Sequence, residues 1–405
     1  MNFFLQFGHG MKQMSIDLAK KWGEATVILS PRDIKPDQLA QWAPLFLKNN
    51  VHTLFDPQMY YPRSNNPNLM KYRFWNTHVT TIANTSSHIE MEKILDSIIK
   101  YNQDAQTESI ILPSPLIPYD GNISLWLEKW TKISKEIISV ANIKGLNNSY
   151  YTLALPANIL LNEESIIEEM LYQIEKFDIK GFYIIAETPN RQYLVEEPLW
   201  LSNITQLCAG LKLDGRKVIM GYGNHQMLCL SCTGIDALAS GNFLNVRSFA
   251  NKFEKTEEIK RKTNWYYNPF ALSEYKISFL DVAYSEKIMQ AMLPPKNMFS
   301  DFIAPLFNTK LKPSDIYISE TALFKHYLHC LYVQCKELTK TSFDESIASN
   351  ELLLSNAEKR IAMLEKNAIF AQTRSFRDLI DVSKSVLIRL QEKRGFALAQ
   401  EWNNF

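Results

Sequence analysis

The sequence predicts an α/β fold: a (β/α)8 TIM barrel over residues 1–250, followed by a C-terminal region, 251–405, that is mixed at first and then helical. Three observations predict it. Eight short apolar runs alternate with segments of helical period, the pattern of a parallel sheet wrapped by helices. Most of the runs are continuously apolar instead of alternating, as strands buried on both faces must be. After Val246 the rhythm stops.

The expected strands are residues 3–7, 26–29, 53–55, 109–112, 152–155, 181–185, 217–220 and 235–238. Between them the apolar positions repeat with the helical period. Leu39, Trp42, Ala43 and Phe46 share a face, as do Met91, Ile94, Leu95, Ile98 and Ile99. Trp126, Trp130, Ile133 and Ile137 form the next stripe, then Ile167, Met170, Leu171 and Ile174, then Leu201, Ile204, Leu207, Cys208 and Leu211. Pro36-Asp37 suits a helix start, and Glu163-Glu164 places acids where the helix dipole favours them. The longest irregular stretch, 59–88, is rich in Tyr, Pro, Asn and Arg, with an extra strand expected at 79–82. A connection of that length in a compact barrel points to function. Near the C-terminus, Leu354, Ala357, Ile361, Leu364 and Ala368 space like a helix-pairing seam, and a last helix carries Leu379, Val382, Val386, Leu387 and Leu390.

Composition bounds the function classes. With 405 residues, 46% of them hydrophobic and 21% charged, the chain can bury a large core. A net charge of +1 gives no global field for nucleic acid or membrane. No apolar run approaches the roughly 18–20 residues that span a bilayer. Five cysteines in a chain this long do not form a disulfide framework, and no secretory leader is legible, so the expected setting is cytoplasmic.

In a (β/α)8 barrel the residues just past the strand C-termini converge on one mouth. Asp56 follows the third strand directly and is the leading candidate, as general base, nucleophile or hydrogen-bond acceptor for a ligand. The alternative is a loop cap, or a partner for Arg32 or Arg63. Glu187, past strand six, would complete an acid/base pair, unless it serves Arg191 or Lys180. His225 could assist proton transfer, and His9, between two glycines, stands exposed at the first strand end; either could equally be a bonded structural histidine. Arg32 could grip an anion or simply pair with Asp33. Gln58, Tyr60, Asn158, Asn224, Ser240, Asn242 and Arg247 complete the expected ligand-binding rim. Gly221, Gly223 and Gly241 fall after strands seven and eight, where barrels often hold phosphate on backbone N–H groups.

Other clusters point away from chemistry. Cys229-x2-Cys232 is half a metal site without a second half, and His326, His329, Cys330 and Cys335 supply too few ligands at the right spacing. No metal or cofactor is expected. Lys252, Lys255, Lys260, Arg261 and Lys262 with Trp265, Tyr266 and Tyr267 could contact nucleic acid, but Glu254, Glu257 and Glu258 interrupt them as on a solvated helix.

The segment 217–249, with Met220-Gly221-Tyr222-Gly223 and Gly234-Ile235-Asp236, resembles the last two barrel strands of the tRNA-guanine transglycosylases and their DNA-modifying deazaguanine relatives. The resemblance implies that Asp56 occupies the place of a strand-three aspartate that contacts the base and assists proton transfer. It also implies a nucleophile three residues beyond Asp236, where this chain carries Ala239. The expected function is therefore binding or processing of a base, nucleoside, nucleotide or nucleic acid at the glycosidic bond. Two alternatives stand beside it. One is a non-catalytic barrel subunit of a nucleic-acid-associated complex, meeting a protein partner or a second copy through the C-terminal helices. The other is a phosphate-binding barrel enzyme acting on a small metabolite, with or without flavin. No membrane partner is expected.

Overall fold

The computed structural model describes residues 1–60, 66–75, 88–250 and 263–405. The expected strand at 79–82, Arg63 and the lysines and arginine at 252–262 lie outside the described residues.

Eight parallel strands form one sheet: β1 (Asn2–Gln6), β2 (Ala25–Leu29), β3 (Val51–Phe55), β4 (Ile110–Leu112), β5 (Ser149–Leu155), β6 (Gly181–Ala186), β7 (Lys217–Met220) and β8 (Ala237–Ser240). Their order, β3-β2-β1-β8-β7-β6-β5-β4, is that of a barrel opened between β3 and β4. That seam is bridged by Glu108 N donating to Thr53 O at 3.2 Å and by Thr53 Oγ1 donating to Ala105 O at 3.0 Å. The fold is a nearly closed (β/α)8 barrel.

The helical stripes face the barrel as their spacing demands. Leu39, Ala43 and Phe46 are buried on α2 (Pro36–Lys48), which follows α1 (Met11–Trp22). Met91, Ile94, Leu95 and Ile98 are buried on α3 (His88–Ala105), and Trp126, Trp130, Ile133 and Ile137 on α4 (Ile123–Ile143). The next stripes lie on α5 (Ser165–Ile174) and α6 (Pro198–Leu213). Between β7 and β8 the alternation of strands and helices predicts a seventh helix, the one that would carry Cys229 and Cys232. Residues His225–Thr233 instead form 3-10 turns, buried throughout beneath the C-terminal helices.

The C-terminal region contributes to the barrel's own wall. After a hairpin, β9 (Trp265–Asn268) with β10 (Ser273–Lys276), and a helix α7 (Ile277–Ser285), the long helix α8 (Glu320–Leu338) packs on β1 and α1. Trp22 of α1 stacks on Tyr332 with centroids 4.3 Å apart and donates to His329 Nδ1 at 3.1 Å. Helix α8 therefore takes the place of the eighth barrel helix, so the expected division at 250 falls inside the helical ring. Of the expected seam, Leu354, Ala357, Ile361 and Leu364 are buried on α9 (Phe343–Lys366), which packs on α10 (Leu379–Glu401) within the same chain, while Ala368 lies past the helix and is exposed. Helix α10 in turn covers α6, which explains why α6 is buried on more than one face. Among the described residues, no helix is long and apolar enough to cross a membrane.

Candidate functional site

Four strands deliver polar side chains to one point inside the barrel. Asp56 is fully buried just past β3, its own N–H donating to Leu29 O at 3.1 Å, which fixes it against β2. Its Oδ1 accepts from Gln58 N at 2.9 Å. Its Oδ2 accepts from the Tyr60 hydroxyl at 2.6 Å and lies 3.1 Å from the Tyr183 hydroxyl. Tyr183, on β6, also lies 3.0 Å from Gln6 Oε1 on β1. Gln58 Nε2 donates to the Tyr222 hydroxyl at 2.7 Å, and that hydroxyl is 2.9 Å from Tyr60's. The rings of Tyr60, Tyr222 and Phe249 pack edge to face with one another.

Burial of a carboxylate disfavours its charged form, and here it pushes Asp56 up to about 6. The hydroxyl of Tyr60, the amide of Gln58, the hydroxyl of Tyr183 and the charge of Arg32 all oppose that shift without cancelling it. The result is a carboxyl that changes state near neutral pH. The loops that carry the network are held in costly backbone. Gln58 has φ 54° and Tyr222 φ 51°, the left-handed region that non-glycine residues avoid, and the two side chains are bonded to each other.

The glycines after strand seven serve this packing. A Cβ on Gly221 would lie 2.5 Å from the Tyr183 ring, and one on Gly223 would lie 2.4 Å from Leu238. Their amides are also spent: Gly221 N donates to Ile184 O at 2.9 Å, and Gly223 N to Ala239 O at 2.8 Å. The expected phosphate cradle is thus corrected at these two positions. Gly241 is likewise wedged, its Cβ position 2.5 Å from Gln6 O.

The remaining rim residues are placed as follows. Arg32 pairs with Asp33 at 3.3 Å, while its backbone N–H donates to Gln58 Oε1 at 3.2 Å. Glu187 accepts from Ala157 N at 3.1 Å, which ties the ends of β5 and β6 together. Asn158 and His9 are exposed. Asn242 Nδ2 donates to His9 O at 2.8 Å, and Asn224 Nδ2 to Tyr193 O at 2.8 Å, so both amides pin loops. Ser240 is buried within β8.

His225 and Arg247 belong to a second buried cluster, where the barrel meets the C-terminal region. Arg247 donates to Glu274 at 3.1 Å and lies 3.6 Å from the Tyr327 ring centroid; Arg374 donates to the same Glu274 oxygen at 2.8 Å. Burial works to raise Glu274, but the two guanidiniums outweigh it and hold the carboxyl below its ordinary range. His225 sits among the rings of Tyr193, Tyr267, Tyr327 and Phe376. Burial lowers it to about 4. Its contacts place it in this cluster and not in the network around Asp56, which corrects the expected assistance. A cavity of about 70 Å³ adjoins this cluster, lined by Arg247, Glu274, Arg374 and Trp265 among others.

The cysteine readings resolve as buried thiols. Cys232 Sγ accepts from Asn350 Nδ2 at 3.0 Å, and burial raises its thiol to about 12. His326 Nε2 lies 2.8 Å from Tyr267 O. Among the described residues, no three His, Cys, Asp or Glu side chains gather as a metal site would require.

Gln6 and Tyr183 are the site residues missing from the expected rim, while Tyr222 falls on it, between Gly221 and Gly223, without an expected role. Gln6 had a signal, being the one polar residue in the run Phe3-Phe4-Leu5-Gln6-Phe7. Tyr183 had none, because an aromatic inside an apolar strand looks like core.

No protein-family model matches the chain, and no curated protein matches it. Among solved structures, it is similar to the catalytic domain of the Bacillus sp. JAMB-750 GH26 endo-beta-1,4-mannanase, at 12% identity and a TM-score of 0.30. That alignment covers 51% of this chain and 60% of the mannanase domain.

Proposed function

We propose that the chain binds a base, nucleoside or nucleotide at the barrel mouth and acts at its glycosidic bond, with Asp56 as the proton-transferring group. The observation that carries this reading is the carboxyl of Asp56, buried at the end of β3 and titrating at about 6. A general acid or base works best with such a value near the working pH. The costly backbone at Gln58 and Tyr222 supports it, since strain of this kind collects at functional sites. So does the resemblance of segment 217–249 to the transglycosylases.

The chemistry follows from what the residues can do. Protonated Asp56 gives its proton to the departing base as the bond from C1′ to nitrogen breaks, and the ionised carboxylate then takes a proton from the group that adds at C1′. Ala239, fully buried in β8, offers no nucleophile at the position where the resembling family carries one, so the adding group is water or a second base. Glu187 is the second carboxylate of the rim and would offset charge developing on the ribose. Access to Asp56 requires neighbouring side chains to move, since it is fully buried.

That burial favours a second reading, a non-catalytic barrel subunit in which Asp56 is an internal tie. Titration of the full chain with nucleobases, nucleosides and nucleotides, read by melting temperature and by product analysis, separates the two. The proposal expects stabilisation by one of these ligands, lost in Asp56→Asn. No ligand in the set, or a variant with undiminished binding and turnover, overturns it in favour of the second reading.

A further inference from the structure

The Tyr183 hydroxyl has one proton and two acceptors at nearly equal range. Gln6 Oε1 is 3.0 Å away and Asp56 Oδ2 is 3.1 Å away. Gln6 is fully buried in β1, and its Nε2 has no hydrogen-bond partner. A buried amide with an unused donor is costly, and native structures seldom keep one without reason. An apolar side chain at that position would carry no unsatisfied donor.

We propose that Gln6 is a positioning residue for Asp56: by competing for the Tyr183 hydroxyl proton, it decides whether the site holds the acid or the carboxylate. The mechanism is a relay of two hydrogen bonds. When Tyr183 donates to Gln6, its oxygen is free to accept from a protonated Asp56. When Tyr183 donates to Asp56, the charged carboxylate gains a donor and Gln6 loses its bond. Gln6 therefore biases the site toward the acid, and it does so without touching a ligand. The groups that face Asp56 are Tyr60 from the β3 loop, Tyr183 from β6, Tyr222 from the β7 loop and Arg32 from the β2 loop, which is itself paired with Asp33. The Tyr60 hydroxyl also has an alternative acceptor, the Tyr222 hydroxyl at 2.9 Å, but it lies closer to Asp56, at 2.6 Å. The Tyr183 proton is shared at nearly equal range, and its alternative acceptor is a buried amide whose Nε2 has no partner.

This inference deepens the reading of Asp56 as the proton-transferring group and rests on it for its use, but its test needs no ligand. The protonated-carboxyl stretch of Asp56, assigned by its loss in Asp56→Asn, is followed against pH by infrared difference spectroscopy of the full chain. In Gln6→Leu the midpoint falls by about one pH unit, a tenfold change in the ratio of acid to carboxylate at fixed pH. In Tyr183→Phe it rises, because a donor to the carboxylate is gone. Adding Gln6→Leu to Tyr183→Phe then changes nothing further, since the shared hydroxyl is absent. A midpoint in Gln6→Leu that stays put or rises overturns the proposal, as does an undiminished effect in the Tyr183→Phe background. If Gln6→Leu does not fold, Gln6→Met carries the same expectations. Failure of every nucleoside to bind would remove the glycosidic reading and leave this titration result standing.

Discussion

Replacing Glu274 by Gln should cost the fold about 4 kcal/mol. Glu274 is 2% exposed and takes hydrogen bonds from Arg247 at 3.1 Å and Arg374 at 2.8 Å. Arg247 is 1% exposed, so the substitution strands a buried guanidinium with no counter-charge. Breaking a buried pair in this way costs roughly 3–5 kcal/mol, because desolvation has already been incurred and only the compensation is withdrawn. The Tyr327 ring at 3.6 Å retains a cation–π contribution of about 1–2 kcal/mol, which keeps the loss from running higher. With an unfolding entropy of about 2.1 cal/mol/K per residue, 405 residues give about 0.85 kcal/mol/K, so the melting temperature falls by about 5 °C. The assay is a calorimetric melt at pH 7. A contrast sharpens it: Arg374 has a side chain 17% exposed, so Arg374→Met leaves Glu274 still paired with Arg247 and costs about 1 kcal/mol. The sign with pH is also fixed. Because Glu274 is held below its ordinary 4.5, its stabilisation is present above that value and is lost as pH falls through the folded value. A Glu274→Gln melt within about 1 °C of the native chain would refute the reasoning, because it would mean that water or rearrangement satisfies Arg247.

Asp56 has the opposite sign: raised from 3.8 to about 6, it contributes stability below 3.8 that is lost as pH rises through 6, a swing of about 3 kcal/mol. The difference in melting temperature between Asp56→Asn and the native chain should therefore move in favour of the variant from pH 4 to pH 8, and a flat difference contradicts the burial argument. His225, lowered from 6.5 to about 4, costs stability progressively as pH falls from 6.5 toward 4, while the unfolded chain takes up a proton that the folded chain refuses. His225→Gln should consequently move the acid-unfolding midpoint to lower pH, and an unchanged midpoint counts against a neutral core histidine. Gly221→Ala puts a methyl 2.5 Å from the Tyr183 ring and should cost about 1–3 kcal/mol in a denaturant melt. The same substitution should displace the Tyr183 hydroxyl, so it should also raise the Asp56 midpoint.

The strands were legible because parallel strands buried on both faces leave an unmistakable apolar signature. Each of the eight appears within a few residues of its expected place, β8 beginning at Ala237 instead of Ile235. Helices with a clean stripe, such as α4 with Trp126 and Trp130, were legible for the same reason. The 3-10 segment at His225–Thr233 was not: its apolar run, with Met227, Leu228 and Leu230, is compatible with a buried helix, but the segment is buried all round, so no face distinguishes itself. The role of α8 in the ring was hidden because a helix stripe records that a face is covered, and not by which strand. In the candidate site, position after a strand selects Asp56, Gln58 and Tyr60, and the structure joins them in one network, since the barrel itself brings strand ends together. The same rule selects His225, Asn224, Asn242 and Arg247, which bond elsewhere, because pinning loops to one another uses the same polar residue types as gripping a ligand.

The glycine positions show how far that ambiguity extends and where geometry ends it. A Gly-x-Gly turn after strand seven is compatible with a backbone anion cradle or with close packing, and the sequence is the same in both cases. Two facts decide between them here: each amide already has a barrel carbonyl, and each missing Cβ is filled by a neighbour's side chain. Tyr183 can reach Asp56 only because Gly221 leaves it room, and Tyr222 can turn its hydroxyl to Gln58 and Tyr60 only from a left-handed backbone. The chain thus accepts strain of about 1–3 kcal/mol at each of Gln58 and Tyr222 to keep one carboxyl surrounded by hydroxyls and amides. An apolar core would hold a barrel together without that cost, and this is the ground on which the proposal gives Asp56 a role beyond packing.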